Sequence, residues 1–330
     1  MRDMTRVSIL FLSSICFIII LNLTTFSGCD TVKEKHYTVG IINPSTGLEE
    51  VVRGFRSGME EHGYHEGKNI TYLYAGPLDS TDRVDPAIDE MLANKVDLIY
   101  SLTTPVTKKL KEALTGKEVP GVFGPVFDPV FSGIVESMTR PGGMLTGVSV
   151  RGSTPKALEY LHKVAPGVKH VYVPFHFTDD AAFATVEDLR KAAAKLDIQI
   201  TTENISNAQE LENALAHVPD DADALWMTCS HLLFSNVDKI VGAALSSKIP
   251  SASSTQSPNR KGIVVAYGES DFQLGKQVSR LAHTILRGTP PSALPVETAD
   301  FFLRIDLKAA QALGINVPGN ILRQANYIDR

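Results

Sequence analysis

Cysteine is almost missing from this chain: Cys16, Cys29 and Cys229 are the only three among 330 residues. A small disulfide-stapled scaffold is therefore excluded, because such scaffolds are short and dense in cysteine. Base is also in short supply, with 32 Lys and Arg against 37 Asp and Glu for a formal charge of −5, and no long stretch concentrates positive charge. Nucleic acid, which demands phosphate-facing cations, is not an expected partner. Low-complexity tracts are absent as well. With 43% hydrophobic and 21% charged residues the balance is globular, which rules out disordered, collagenous and polytopic membrane classes. At roughly 100–200 residues per domain, the length suggests about two domains, each able to bury a core.

Complete catalytic motifs are lacking too. The run Gly147-Val148-Ser149-Val150-Arg151 approaches a nucleophile elbow but has no second glycine. Residues 268–277 approach a phosphate loop with the wrong spacing and no hydroxyl after Lys276. His65-Glu66 opens like a zinc helix but no second histidine follows at the required spacing. The expectation is a protein that is not an enzyme and uses no cofactor or metal.

One long apolar run is present, and it lies at the start. Arg2 and Arg6 precede residues 7–23, which are interrupted only by Ser8, Ser13, Ser14, Cys16 and Asn22; this is the layout of an export signal. The run ends in Ser27-Gly28-Cys29-Asp30, which resembles a bacterial lipobox. That resemblance implies cleavage before Cys29, lipidation of Cys29, a signal peptide over 1–28 and a tether over 29–36. Phe26 departs from the usual leucine, and an uncleaved anchor or ordinary secretion are the alternatives. All three place the body outside the cytoplasm, with the lipid form held to the outer face of the cytoplasmic membrane, periplasmic in a cell with two membranes. Cys229, within an apolar run, reads as a small core residue.

From Tyr37 onward, short β-rich runs alternate with segments of helical period. Residues 37–42 form an apolar strand pattern; Leu48, Val51, Val52, Phe55 and Met59 then mark one helical face. Strands are expected at 70–74, 96–100, 119–123 and 145–150, with a helix at 82–94. The pattern restarts after 151–155, with strands at 168–174, 198–202, 222–228 and 263–267 and helices at 181–196, 208–217 and 237–247. A helix over 272–287, an extended segment over 296–305 and a helix over 307–313 close the chain. Continuous apolar strands between helices indicate βαβ units and parallel sheets covered on both faces. The fold class is α/β in two halves.

Two places carry binding chemistry. After the third strand, Ser101, Thr103 and Thr104 precede Pro105, so that Thr104 is expected as N-cap with Pro105 in the first turn. A helix start at the carboxyl edge of a parallel sheet offers free N–H groups and a positive dipole end, which suit a carboxylate; an ordinary cap is the alternative. At the next strand end, Phe127-Asp128 could cover an apolar group and accept an ammonium, or Asp128 could be a plain turn residue before Pro129. Paired sites of opposite sign describe a receptor for an amino acid.

The motifs GYHEGKNI (63–70), FDPVFSG (127–133), TRPGG (139–143) followed by TG (146–147), YG (267–268) and DLKAAQALG (306–314) resemble the ABC-transporter substrate-binding family that includes tryptophan-binding lipoproteins. The similarity runs from about Tyr37 to Pro318. It implies a type I periplasmic-binding-protein fold: two Rossmann-like lobes with parallel sheets joined by a multi-strand hinge. Residues 37–150 would build lobe 1, completed by 270–292, and 151–268 lobe 2, completed by 293–330. The resemblance further implies a ligand carboxylate at Thr103 and Thr104 and its amine at Asp128. Asn43, Ser45, Ser101 and Phe127 complete the first-lobe contacts, and His176, Phe177, Ser230, Tyr267 and Glu269 supply the second lobe. Helix capping by His176 and Ser230, hinge packing by Phe177 and a first-turn charge at Glu269 are their structural alternatives. Phe175 to Thr178, Glu269-Ser270 and 251–256 depart from the family's usual residues, which leaves side-chain specificity open. The implied function is capture of a small zwitterion, an aromatic or apolar amino acid, for an ABC permease and its ATPase. A ligand-sensing module for a signalling partner, or a binder of a non-amine carboxylate, are the alternatives.

Overall fold

Buried strands and amphipathic helices alternate along the chain because the central strand runs are covered on both faces and the helices bury one. A computed structural model describes residues 35–330 apart from 79 and 256–261. The export signal, Cys29 and most of the tether lie outside the described residues. In order come β1 (Tyr37–Ile42), α1 (Glu49–Glu61), β2 (Ile70–Leu73), α2 (Val84–Ala93), β3 (Leu98–Ser101), α3 (Thr104–Ala113), β4 (Gly121–Val126) and β5 (Leu145–Ser149). Then follow α4 (Thr154–Val164), β6 (His170–His176), α5 (Asp180–Ala193), β7 (Gln199–Ile205), α6 (Ala208–Ala216), β8 (Ala224–Met227), α7 (His231–Phe234), α8 (Val237–Ser246), β9 (Ser251–Ser253) and β10 (Val265–Glu269). The last third adds α9 (Asp271–Leu286), β11 (Glu297–Thr298), β12 (Phe301–Asp306), α10 (Leu307–Ala312), α11 (Gly319–Leu322) and β13 (Tyr327–Asp329).

These strands form two sheets. The six-stranded sheet has the order β11-β5-β4-β3-β1-β2, parallel throughout. The seven-stranded sheet has the order β13-β12-β10-β9-β8-β6-β7, parallel except where β10 meets β12. Every residue of β3, β5 and β8 is buried, as strands covered on both faces require. Alternate side chains feed opposite cores: Leu98 and Tyr100 join the cluster under α1 and α9, while Ile99 joins the one under α2 and α3. In the second sheet Trp226 faces α4 and α5, and Leu225 and Met227 face α6 to α8.

Helix α9 returns to the first sheet, where Leu274, Val278, Leu281 and Ile285 share a core with Val51, Val52, Phe55 and Met59 of α1. The two helices touch backbone to backbone: a Cβ on Gly54 would overlap the Phe272 carbonyl, and one on Gly275 would overlap the Val51 carbonyl. The chain passes between the sheets three times, after β5, after β10 and between β11 and β12.

Several elements differ from expectation. Helix α4 was not anticipated, although Ala157, Leu158, Leu161 and Val164 are spaced to line one face. Strand β9, Ser-Ala-Ser, carries no apolar signature. The extended run 296–305 is two strands in different sheets, with Glu297 and Thr298 pairing to β5 instead of joining the second half. The helix after β3 begins at Thr104, so its N-cap is Thr103 and Pro105 falls at the second helical position.

Candidate ligand-binding site

In open parallel sheets a ligand crevice lies outside the carboxyl ends of the strands. In the first sheet those ends lead into Asn43 after β1, residues 102–104 after β3, Phe127-Asp128 after β4 and Val150-Arg151 after β5.

Thr103 donates its N–H to the Pro125 carbonyl at 3.1 Å and accepts from the Thr107 N–H and hydroxyl at 3.1 and 2.7 Å. These bonds stitch the start of α3 to the adjacent end of β4. They also hold Thr103 at φ 72° and ψ 155°, a region a β-branched residue visits only under constraint, at a cost of about 1–3 kcal/mol. No side chain caps α3. Its first-turn N–H groups, which no helical carbonyl reaches, combine with the dipole to favour an anion. Thr103 and Thr104 are half-buried there. Ser101 is not available beside them: it is fully buried and its hydroxyl bonds Thr107 Oγ1 at 3.0 Å, fastening strand to helix.

Asn43 is likewise buried and committed to the protein. Its Nδ2 reaches Glu49 Oε1 and the Tyr74 hydroxyl at 3.0 Å each, and its Oδ1 accepts the Ser45 N–H at 3.0 Å. Burial, aided by the Glu49 carboxylate, pushes the Tyr74 phenol up to about 12. Ser45 Oγ in turn accepts the Gly47 N–H at 3.2 Å. These residues shape the loop after β1.

Phe127 is buried in the same cluster as Val148, Val150 and Ala184. Asp128, next to it, accepts the Phe131 N–H on Oδ1 at 2.9 Å and Arg151 Nη1 on Oδ2. Arg151 then grips Asp188 of α5 with both remaining arms, Nε to Oδ2 at 2.8 Å and Nη2 to Oδ1 at 2.6 Å. The two carboxylates, Asp188 first, hold the guanidinium above its ordinary range. Two acids on one base leave the trio with net charge −1. Sequence reading missed Arg151 and Asp188; a base at the carboxyl end of β5, beside the acid at the end of β4, was the available signal.

The second sheet contributes differently. His176 at the end of β6 bonds Thr178 Oγ1 at 3.0 Å, while Phe177 is 48% exposed. Tyr267 packs its ring between Tyr160 and Phe301, at 5.3 and 5.9 Å, and burial raises its phenol. Glu269 is buried at the end of β10. Ser230 receives the Phe234 N–H on its carbonyl at 2.9 Å, so it does start α7. Its hydroxyl, however, is buried with no partner among the described residues, as are those of Thr228 and Ser254. Thr228 and Ser254 each stand one residue beyond the paired positions Met227 and Ser253 of neighbouring strands β8 and β9. An unmet buried polar group costs about 1–3 kcal/mol, so these hydroxyls suit hydrogen bonding to a bound solute. Neither Thr228 nor Ser254 had been singled out from sequence, since a lone hydroxyl at a strand end carries no pattern.

The chain resembles characterised proteins along most of its length. It is 26% identical over 271 residues to a tyrosine-binding protein of Clostridioides difficile, covering 82% of this chain and 78% of that one. A conserved domain protein from Vibrio cholerae superposes with TM-score 0.79 at 25% identity, over 90% of this chain and 100% of that one. An ABC domain from Streptococcus pneumonia, solved in complex with L-Trp, superposes with TM-score 0.77 at 22% identity, over 89% and 100%. These neighbours share the type I periplasmic-binding fold. The family model for ABC transporter substrate binding proteins matches residues 38–328. On that match, which spans most of the chain, and on its two-sheet fold, the chain belongs to the ABC transporter substrate-binding protein family.

Proposed function

We propose that this protein is the extracytoplasmic receptor of an importer that captures an amino acid, aromatic or otherwise apolar, between its two sheets and delivers it to a permease. The observation that carries the reading is the pairing of opposite electrostatic ends on adjacent strands. The open helix start at Thr103 and Thr104 suits a carboxylate, and Asp128, one acid of the net-negative trio about Arg151, suits an ammonium. A closed cleft excludes water, so each charge of a zwitterion needs such a partner. Arg151 does not cancel the second role, because an ionised carboxylate has about four lone-pair sites and the trio keeps one unmatched negative charge. The tyrosine and tryptophan named for two relatives support an aromatic side chain. Anchoring through a lipid on Cys29 completes the reading, and the mass of the mature N-terminal peptide checks it.

A melting screen against the twenty amino acids tests the ligand class. At about 100 times Kd a ligand adds roughly 2.7 kcal/mol, and aromatic amino acids are expected to raise the transition most. One observation favours a second reading: Arg151 already pairs with Asp128, as it would beside a carboxylate solute lacking an amine. Shifts by arylpropionates that equal or exceed those by the amino acids would decide for it.

A further inference from the structure

Among the described residues, the hydroxyls buried without a hydrogen-bond partner are those of Tyr72, Thr154, Thr228, Ser230 and Ser254. All but Tyr72 gather at the carboxyl ends of β8 and β9. Trp226 of β8 pairs with Ala252 of β9, and both point into the core shared with α4. Two residues further along each strand, Thr228 and Ser254 continue that face. Ser230 stands two residues beyond Thr228. Thr154 opens α4, and Ser153 just before it donates its hydroxyl to the Ser254 carbonyl at 2.6 Å. None of the four residues is more than 2% exposed.

Two observations aim this group at the crevice. Cys229, between Thr228 and Ser230, packs against the first-half cluster of Phe127, Val148 and Val150, at the strand ends that lead to Asp128 and Arg151. The end of β8 therefore abuts the crevice side of the first sheet. The groups suited to the two charged ends of an amino acid, Thr103 with Thr104 and Asp128, all lie in the first half, so its side chain is left to the second. The bases that flank Thr154 are committed elsewhere, Arg151 to Asp128 and Asp188 and Lys156 to Glu159 at 2.8 Å. What remains is a set of uncharged groups, each able to donate and to accept.

We propose that Thr154, Thr228, Ser230 and Ser254 form a subsite that hydrogen-bonds a neutral polar group at the far end of the solute's side chain, so that the receptor selects a hydroxylated aromatic amino acid over its hydrocarbon counterpart. The subsite rests on the amino-acid reading above and narrows it. A hydroxyl on the solute donates to one of these groups and accepts from another. A plain hydrocarbon ring leaves them unpaired where water is excluded, and a site built to bond a hydroxyl rejects the analogue lacking it far more strongly than an apolar pocket rejects a missing methylene.

The test is isothermal titration of the full chain with L-tyrosine and L-phenylalanine, which differ by one hydroxyl. Wild type is expected to bind tyrosine at least about tenfold more tightly. The double variant Thr228→Val with Ser254→Ala is expected to bring the ratio close to one, chiefly by weakening tyrosine. Tyr72→Phe, which removes the unpartnered hydroxyl of the first half, should leave the ratio unchanged. Should the double variant misfold by circular dichroism, its two single changes and Ser230→Ala read the same ratio. Equal affinity for the two amino acids in wild type, the result expected if ordered water alone serves these hydroxyls, overturns the subsite, as does a tyrosine preference undiminished in every folded variant. Failure of wild type to bind either compound overturns instead the amino-acid reading beneath it, so the two failures are told apart.

Discussion

Among single residues, Thr103 and Asp128 show how backbone and charge are arranged together. Thr103 is held in left-handed backbone by bonds to Pro125 and Thr107, so the start of α3 is placed by constraint instead of local preference. His283 illustrates a different coupling, of charge to stability. It stacks on His62 with ring centroids 4.6 Å apart and meets the Tyr64 hydroxyl at 3.2 Å. Burial first, then His62 and Arg287, holds its pKa below the ordinary value. The unfolded chain therefore takes up this proton more readily, near pH 6.5, and protons favour unfolding. The stabilising contribution is complete above about pH 6.5 and is lost as pH falls towards the depressed folded value. Urea midpoints of wild type are expected to drop across that window, and His283→Gln should flatten the drop.

At the level of elements, glycine has opposite meanings in two helices. Gly54 lies where α1 meets the backbone of α9, and Gly54→Ala is expected to lower stability by about 1–3 kcal/mol through overpacking. Gly242, in α8, has open space around its missing Cβ. There Gly242→Ala should raise stability by up to about 1 kcal/mol, since only helix propensity changes. Chemical denaturation of the two variants side by side checks both signs.

Elements with strong period were legible in sequence. The spacing of Val51, Val52, Phe55 and Met59 gave α1, and the apolar runs of β1, β3 and β8 gave buried strands. Helix α4 carried the same kind of spacing but was masked by Gly152 and Pro155, read as loop punctuation although proline in a first turn starts helices. Strand β9 is held by hydroxyl bonds such as Ser253 Oγ to the Met227 carbonyl at 3.2 Å, which leave no mark on hydropathy. The break of 296–305 into β11 and β12 follows from a passage between sheets, and local pattern says nothing about which sheet a strand joins.

For the molecule as a whole, the two-half architecture was legible and the ties between the halves were not. Thr103, Thr104 and Asp128 stand out because helix starts and strand-end charges are local features. Arg151 and Asp188 are separated by α4 and β6, and only the folded chain shows that they share a bond with Asp128. Ser101 and Asn43 show the reverse, for they sit at the expected strand ends yet spend their polar atoms on the protein. The proposed capture needs closure to be favoured by contacts made to both halves. Its charge logic predicts a large penalty when one sign loses its partner, about 3–5 kcal/mol.

Isothermal titration of wild type and Asp128→Asn with an aromatic amino acid, and with the same compound lacking its amine, tests the zwitterion assignment most directly. The amino acid is expected to bind wild type far more tightly than the amine-free acid does, and to lose at least about 100-fold in affinity in Asp128→Asn. Equal affinity of the two compounds for wild type, or an undiminished affinity in the variant, contradicts it.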